Sequence, residues 1–309
     1  MTVWELIGVL GKSLIYIGML ASVGGVLMLW LGRSNAPLVR LIARQYLLPT
    51  ALTGLLATCL VFLAQVGSVN QRGVAGMFDP VIGGILADTE LGSVLRWRLA
   101  GFVLMLLAII PVNLPGALWD KPRTRQFSWI TLLVAIVCFT VSVASQGHAA
   151  SISLLAQCLV AAHLIAVAAW VGSFYPLYRA ALASDVNADD LVLLAGRFGQ
   201  VAWSILAVML LTGVPLIWLV AGGPLSLTDD AHGQLLLIKL VLVALMMALG
   251  ALHKFVLVTS LQSALMQSDD QTVPDSRRLL ARSIRTETVL ALLVLLLTAS
   301  MTTVTGPVP

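Results

Sequence analysis

Eight mostly apolar stretches follow one another along the 309 residues, at roughly 5–31, 47–68, 92–112, 127–146, 152–176, 200–221, 234–257 and 287–305. The hydrocarbon core of a bilayer is about 30 Å thick, and a helix rises about 1.5 Å per residue, so each stretch has the length needed to cross. No water is present there to satisfy peptide groups, which leaves helices or a closed barrel. Apolar runs of this length select helices. A composition of 59% hydrophobic and 10% charged residues, with mean hydropathy +0.99, gives too little polar surface for a soluble domain. The expected fold is an all-α polytopic membrane protein with eight transmembrane helices embedded in the lipid bilayer. The first stretch lacks a small-residue cleavage site and runs past Gly24 and Gly25 to Trp30, so it is expected to be a retained helix rather than a signal peptide.

The connections alternate in charge. One set carries Arg33, Arg40 and Arg44, then Lys121, Arg123 and Arg125, then Arg179 and Arg197, then Lys254, Arg277, Arg278, Arg282 and Arg285; the other set carries Arg72. Basic loops stay on the cytoplasmic side, so both termini are expected to face outward, towards the periplasm. The pI of about 9.2 then follows from topology, and no nucleic-acid partner is implied.

The chain also resembles itself. Residues 91–99 align with 232–240, placing Gly92 over Gly233, Leu95 over Leu236 and Arg98 over Lys239; Met105 falls opposite Met246, and Gly24 opposite Gly172. Two four-helix parallel repeats related by an axis along the membrane normal are expected. Residues 1–126 form a first part with three helices, 127–146 the fourth helix that closes the first repeat, and 147–309 the second repeat.

His163 is the most informative single residue. It lies about halfway along the 152–176 stretch, which contains no Asp, Glu, Lys or Arg, roughly 15 Å in from Ser153. Ionisable groups at that depth tend to mark sites; the structural alternative is a neutral imidazole bonded to a neighbouring helix. Trp170 follows two turns later on the same face, as a cavity wall or gate, or as packing. Cys59, Cys138 and Cys158 each fall inside an apolar stretch without CxxC spacing and read as small buried residues. Arg98 and Lys239 lie about one turn inside the outer boundary. They can carry their charge back to the headgroups or pair with the outer acids Glu5, Asp79, Asp88, Glu90, Asp229 and Asp230. Those acids either concentrate cations at an outer mouth or are ordinary solvated loop residues.

Several motifs together resemble the CopD family of bacterial copper-resistance membrane proteins: Ser145-Gln146-Gly147-His148-Ala149 before a helix, His163 through Gly172, Arg197-Phe198, Thr212-Gly213, and Gly233 through Lys239. The resemblance implies an inner-membrane protein that handles copper, is partnered by a periplasmic copper carrier, and moves copper inward. His232 and His253 depart from the family pattern, which more often shows an aromatic residue and Asn at those places.

Ligand chemistry is compatible with this reading, since imidazole binds Cu(I) and Cu(II) and thioether favours Cu(I). His148 and His232 near the outer face with His163 below them make a mouth-to-interior series. Met105, Met209, Met246 and Met247 either extend it or pack the core. A b-type haem electron carrier is the alternative, but it needs two facing deep imidazoles. A third reading is a non-transporting accessory to the copper carrier. No phosphate loop, nucleophile motif or metal-hydrolase spacing is present, so an enzyme is not expected.

Overall fold

A computed structural model describes residues 3–114, 118–146, 153–221, 231–267 and 272–304. Among these residues eight helices are long and apolar enough to cross a membrane: α1 (Val3–Leu31), α2 (Ala36–Asn70), α3 (Glu90–Asn113), α4 (Pro122–Ala144), α5 (Leu154–Leu182), α6 (Ala188–Leu219), α7 (Gly233–Met266) and α8 (Thr272–Met301). The eight-span, all-α expectation is met.

The helices outrun the apolar windows on the basic side. Arg40 and Arg44 lie on α2, Arg179 on α5, Arg197 on α6, and Lys254 on α7, rather than in loops. Long basic side chains allow a helix to continue through the headgroup layer, and side-chain caps fix the starts of three helices. Asn35 accepts from Leu38 N at 2.9 Å to start α2, Thr89 caps α3, and Ser153 accepts from Ala156 N at 3.1 Å to start α5.

The core is built around α1. Of its apolar window 72% is buried, against 6% for α7 on the rim. The first helix packs on α2, α5 and α8; α3 packs on α2 and α4, α5 on α6, and α7 on α8. In the first half, the Phe102 ring of α3 occupies the space left by Gly18 on α1 and Gly54 on α2, and meets Phe139 of α4 with ring centroids 4.7 Å apart.

Where α1 crosses α5, backbone touches backbone. A Cβ on Gly172 would stand 1.9 Å from the Leu20 carbonyl oxygen, and one on Gly24 would stand 2.2 Å from the Gly172 carbonyl carbon. Only glycine fits either place. Close approach of this kind drives helix association in lipid, where there is no hydrophobic effect between helices. α5 turns at this point, its α-helical segments running Leu154–Val171 and Phe174–Leu182. Tyr46 donates to the Gly172 carbonyl at 2.7 Å from a π-helical turn, Ala43–Leu47, within α2.

On the basic side, cationic side chains hold helix carbonyls. Arg197 donates to Leu31 O at 2.8 Å, and Lys254 to Gly199 O at 2.9 Å. Arg277 donates to the carbonyls of Ala180, Ala181 and Ala183 at 3.1, 3.0 and 2.7 Å. Positive charge at a helix C-terminus is favourable, so part of the basic-side charge serves to pin α1 and α5. Asn35 also donates to Asp190 at 2.7 Å, tying the start of α2 to the start of α6.

Gly172→Ala should lower the thermal stability of the detergent-solubilised protein by about 2 kcal/mol or more, the scale of overpacking a filled site. Gly83→Ala, at a helical position with nothing near the added methyl, should leave it unchanged or slightly raised. Circular dichroism melts of both variants check this.

Candidate functional site

The His163 imidazole is held from α6. Its Nδ1 lies 3.1 Å from the Met209 carbonyl oxygen and 3.1 Å from Thr212 Oγ1. A carbonyl oxygen only accepts, so Nδ1 carries the proton and donates. The Thr212 hydroxyl donates to Val208 O at 2.6 Å, which leaves its oxygen free to accept from the same N–H. The neutral imidazole therefore keeps its lone pair on Nε2. This is the usual state of a metal-ligating histidine: one nitrogen fixed by a backbone carbonyl, the other bare. Gly213 makes room for the ring, since a Cβ there would stand 3.0 Å from its Cε1. Thr212 and Gly213 therefore act together, one anchoring the imidazole and the other clearing its place.

Lys239 on α7 is the charged group that acts on His163. A positive charge within electrostatic reach of the ring opposes both an imidazolium and a highly charged metal ion. The other member of the aligned pair, Arg98 on α3, is buried and donates to Gln146 Oε1 at 2.6 Å. Gln146 lies just past the end of α4, so this bond ties α3 to α4. Lys12 lies near enough for the two cations to repel.

The methionines take their places mainly through packing. Met105, Met209 and Met246 are buried in one continuous apolar core, with Met247 against its edge; what Met209 gives His163 is its carbonyl. Trp170 is buried edge-on to Phe174 at 5.6 Å. Cys138 is buried as expected, whereas Cys59 and Cys158 are exposed. An apolar solvent outside the bundle suits a small thiol as well as the core does, which is why the expectation of burial failed for them.

Of the outer acids, Asp79 is a helix cap. It accepts from Val81 N at 3.0 Å, Ile82 N at 3.1 Å and Asn70 Nδ2 at 3.0 Å, starting the short helix Pro80–Ala87 between α2 and α3. Asp88 ends that helix and Glu90 opens α3, both exposed; Glu5 is partly buried in the first turn of α1. His148, Asp229 and Asp230 lie outside the described residues. His232 falls within the first turn of the helix Ala231–Leu252, with its side chain outside the description. Among the described residues no three His, Cys, Asp or Glu side chains gather as a metal cluster. A cavity of about 690 Å³ on the basic side is lined by Arg33, Arg40, Arg44 and Arg125 among others, a lining that repels cations.

The sequence reading missed one constellation. Glu287 on α8 is 1% exposed, and its Oε2 lies 3.1 Å from His253 Nδ1, while His253 Nε2 lies 2.7 Å from Ser283 Oγ. Glu287 follows Arg282 and Arg285 in sequence and so looks like a solvated acid at a helix boundary. The signal available was the i, i+4 spacing of Ser283 and Glu287, which puts both on one face. With both ring nitrogens engaged, His253 offers no lone pair to a haem iron opposite His163.

Eight spanning helices around a deep neutral imidazole with one bare nitrogen define a polytopic membrane protein with a candidate intramembrane metal-binding group. Two family models match the chain: "Copper resistance protein D-like, N-terminal domain" over residues 3–153 and "Copper resistance protein D" over residues 192–301. The chain belongs to the copper resistance protein D family, which is not a family of enzymes. It is 29% identical over 246 residues to the inner membrane protein YebZ of Escherichia coli (strain K12), covering 77% of this chain and 80% of YebZ. It is also 29% identical over 177 residues to the copper transport protein CutJ of Bacillus subtilis (strain 168), covering 54% of this chain and 31% of CutJ. No solved structure matches.

Two outcomes follow. Nitrogen-15 resonances of His163 in metal-free protein should show Nδ1 protonated and Nε2 bare; the opposite tautomer contradicts the Met209 and Thr212 anchor. The hydrogen bonds from Ile82, Asn70 and Val81 hold the Asp79 carboxyl below the usual carboxylate range. A depressed folded-state value means the cap is fully present above the usual carboxylate range and is lost as pH falls through the folded value. Amide exchange at Val81 and Ile82 should therefore stay slow through mild acid and accelerate only below that range.

Proposed function

We propose that this protein moves copper ions across the inner, cytoplasmic membrane as part of copper resistance and homeostasis, with His163 as its deep ligand. The observation that carries this is the anchored imidazole: Nδ1–H is fixed by Met209 and Thr212, and the lone pair on Nε2 is left free within the bilayer. Copper is the cargo that the family suggests, and CutJ is named as a copper transport protein. A Lys239 charge within electrostatic reach of the ring favours the ion of lower charge, so Cu(I) is the form held there.

Basic loops face the cytoplasm and both termini the periplasm. His148 and His232 receive the ion on the outer side from a periplasmic copper carrier, and it passes inward to His163. The two halves are parallel repeats. The proposal draws support from Gly24 and Gly172, which align in sequence and also touch in space, as equivalent points beside a shared axis would. The haem alternative gains nothing from His253, whose ring nitrogens are both taken.

The test is copper flux in sealed proteoliposomes, with the metal offered to one face at a time. His163→Ala should lower uptake at least about tenfold, and Thr212→Val by less, the range seen when a metal ligand or its hydrogen-bond support is removed. Equal rates in a well-folded His163→Ala variant would overturn the proposal. A Soret band in the purified protein, lost in the same variant, would replace it with the haem reading.

A further inference from the structure

The Glu287–His253–Ser283 constellation has no part in the copper path proposed above. We infer that Glu287 and His253 form a proton-binding site at the basic end of the α7–α8 interface, where one proton is taken up by the Glu287 carboxylate.

The hydrogen bonds accommodate a starting state with the imidazole uncharged. Ser283 Oγ lies 2.7 Å from Nε2, and Nδ1 lies 3.1 Å from Oε2 of Glu287. In that state His253 donates its Nδ1–H to the carboxylate and accepts the Ser283 hydroxyl proton at Nε2, and the constellation carries one negative charge. The second carboxylate oxygen, Oε1, is buried and makes no hydrogen bond. It faces the bare backbone of Gly250, 3.5 Å from where a Cβ would stand, with Cζ2 of Trp170 4.0 Å from the same point. A buried carboxylate with one oxygen against apolar groups is costly unless its charge is balanced.

No described cation balances it. On α7 the facing group is His253 itself; Lys254 turns away to Gly199 O and the Trp203 ring. On α8, Arg277 is spent on the α5 carbonyls, Arg278 on Asp275, and Arg282 and Arg285 are exposed. From α5, Tyr175 stacks on Tyr46 and Tyr178 lies against Tyr175, and Arg179 donates to Gln45. From α1, the described residues between Leu20 and Leu31 include no charged group. A proton on the Glu287 carboxylate is what brings the constellation to zero charge.

Access comes from the basic side. The His253 side chain is 14% exposed, and it opens a π-helical turn, His253–Leu257, a distortion that recurs at functional positions. The proton arrives through the Ser283 hydroxyl and the imidazole, which takes a proton at Nε2 and passes its Nδ1 proton to Oε2 of Glu287, leaving Nε2–H to donate to the Ser283 oxygen.

The experiment is infrared difference spectroscopy on metal-free protein in lipid, stepped between about pH 8 and pH 6, where exposed carboxylates stay ionised. The expected result is an un-ionised carboxyl C=O band that grows as pH falls and is missing in Glu287→Gln, which retains an acceptor for Nδ1–H. His253→Gln should move the midpoint of that band by at least about one pH unit, a tenfold change in proton concentration. A band that ignores pH, a spectrum without any band dependent on Glu287, or a midpoint unmoved in His253→Gln would each overturn the inference. Because no copper is present, the result stands or falls apart from the transport reading.

Discussion

Everything else in this fold hangs on the contact of two backbones at Gly24 and Gly172. In lipid, one apolar helix gains nothing by hiding its leucines from another; close packing and hydrogen bonding must supply the association. Here a Cβ on either glycine would collide with main-chain atoms of the opposite helix, so α1 and α5 approach as closely as helices can. Tyr46 fastens the junction by donating to the Gly172 carbonyl. α1 becomes the axle of the bundle, and α5 carries His163 and Trp170 on the turns immediately before the crossing. The rigidity of the site is inherited from that junction.

Its chemistry is inherited from α6. Met209 and Thr212 decide which imidazole nitrogen is protonated, and Gly213 decides whether the ring has room to lie there. Lys239 biases the site against high charge. A soft monovalent ion meets both conditions: it bonds to a bare imidazole nitrogen and suffers least from a neighbouring ammonium. α7, the least buried span, brings Lys239 to one level of the bundle and His253 to another. The two levels differ in kind, with a basic residue on the level of an open ligand at the first and a carboxylate bonded to a closed imidazole at the second.

Much of this was legible in the sequence, because apolar length is a one-dimensional property. The eight spans are visible in hydropathy, as is the depth of His163 within its own charge-free stretch. The helix ends on the basic side are not, since Arg40, Arg179 and Lys254 look like loop residues although they ride on helices. The partners of His163 stand 46 and 49 residues away, a separation at which no helical periodicity connects them. Glu287 was missed for the same reason: only the packing of α7 on α8 turns a boundary acid into a buried one. Asp79, which reads in sequence either as part of a cation-concentrating mouth or as an ordinary solvated loop acid, is occupied in starting a helix.

The most direct test of the copper-binding claim at His163 is X-ray absorption at the copper edge, on purified protein loaded with Cu(I) and on His163→Ala treated identically. The account predicts bound Cu(I) with imidazole nitrogen in its coordination sphere, and loss of that copper, or of the nitrogen scattering, in the variant. Copper retained in His163→Ala with an unchanged spectrum would contradict it.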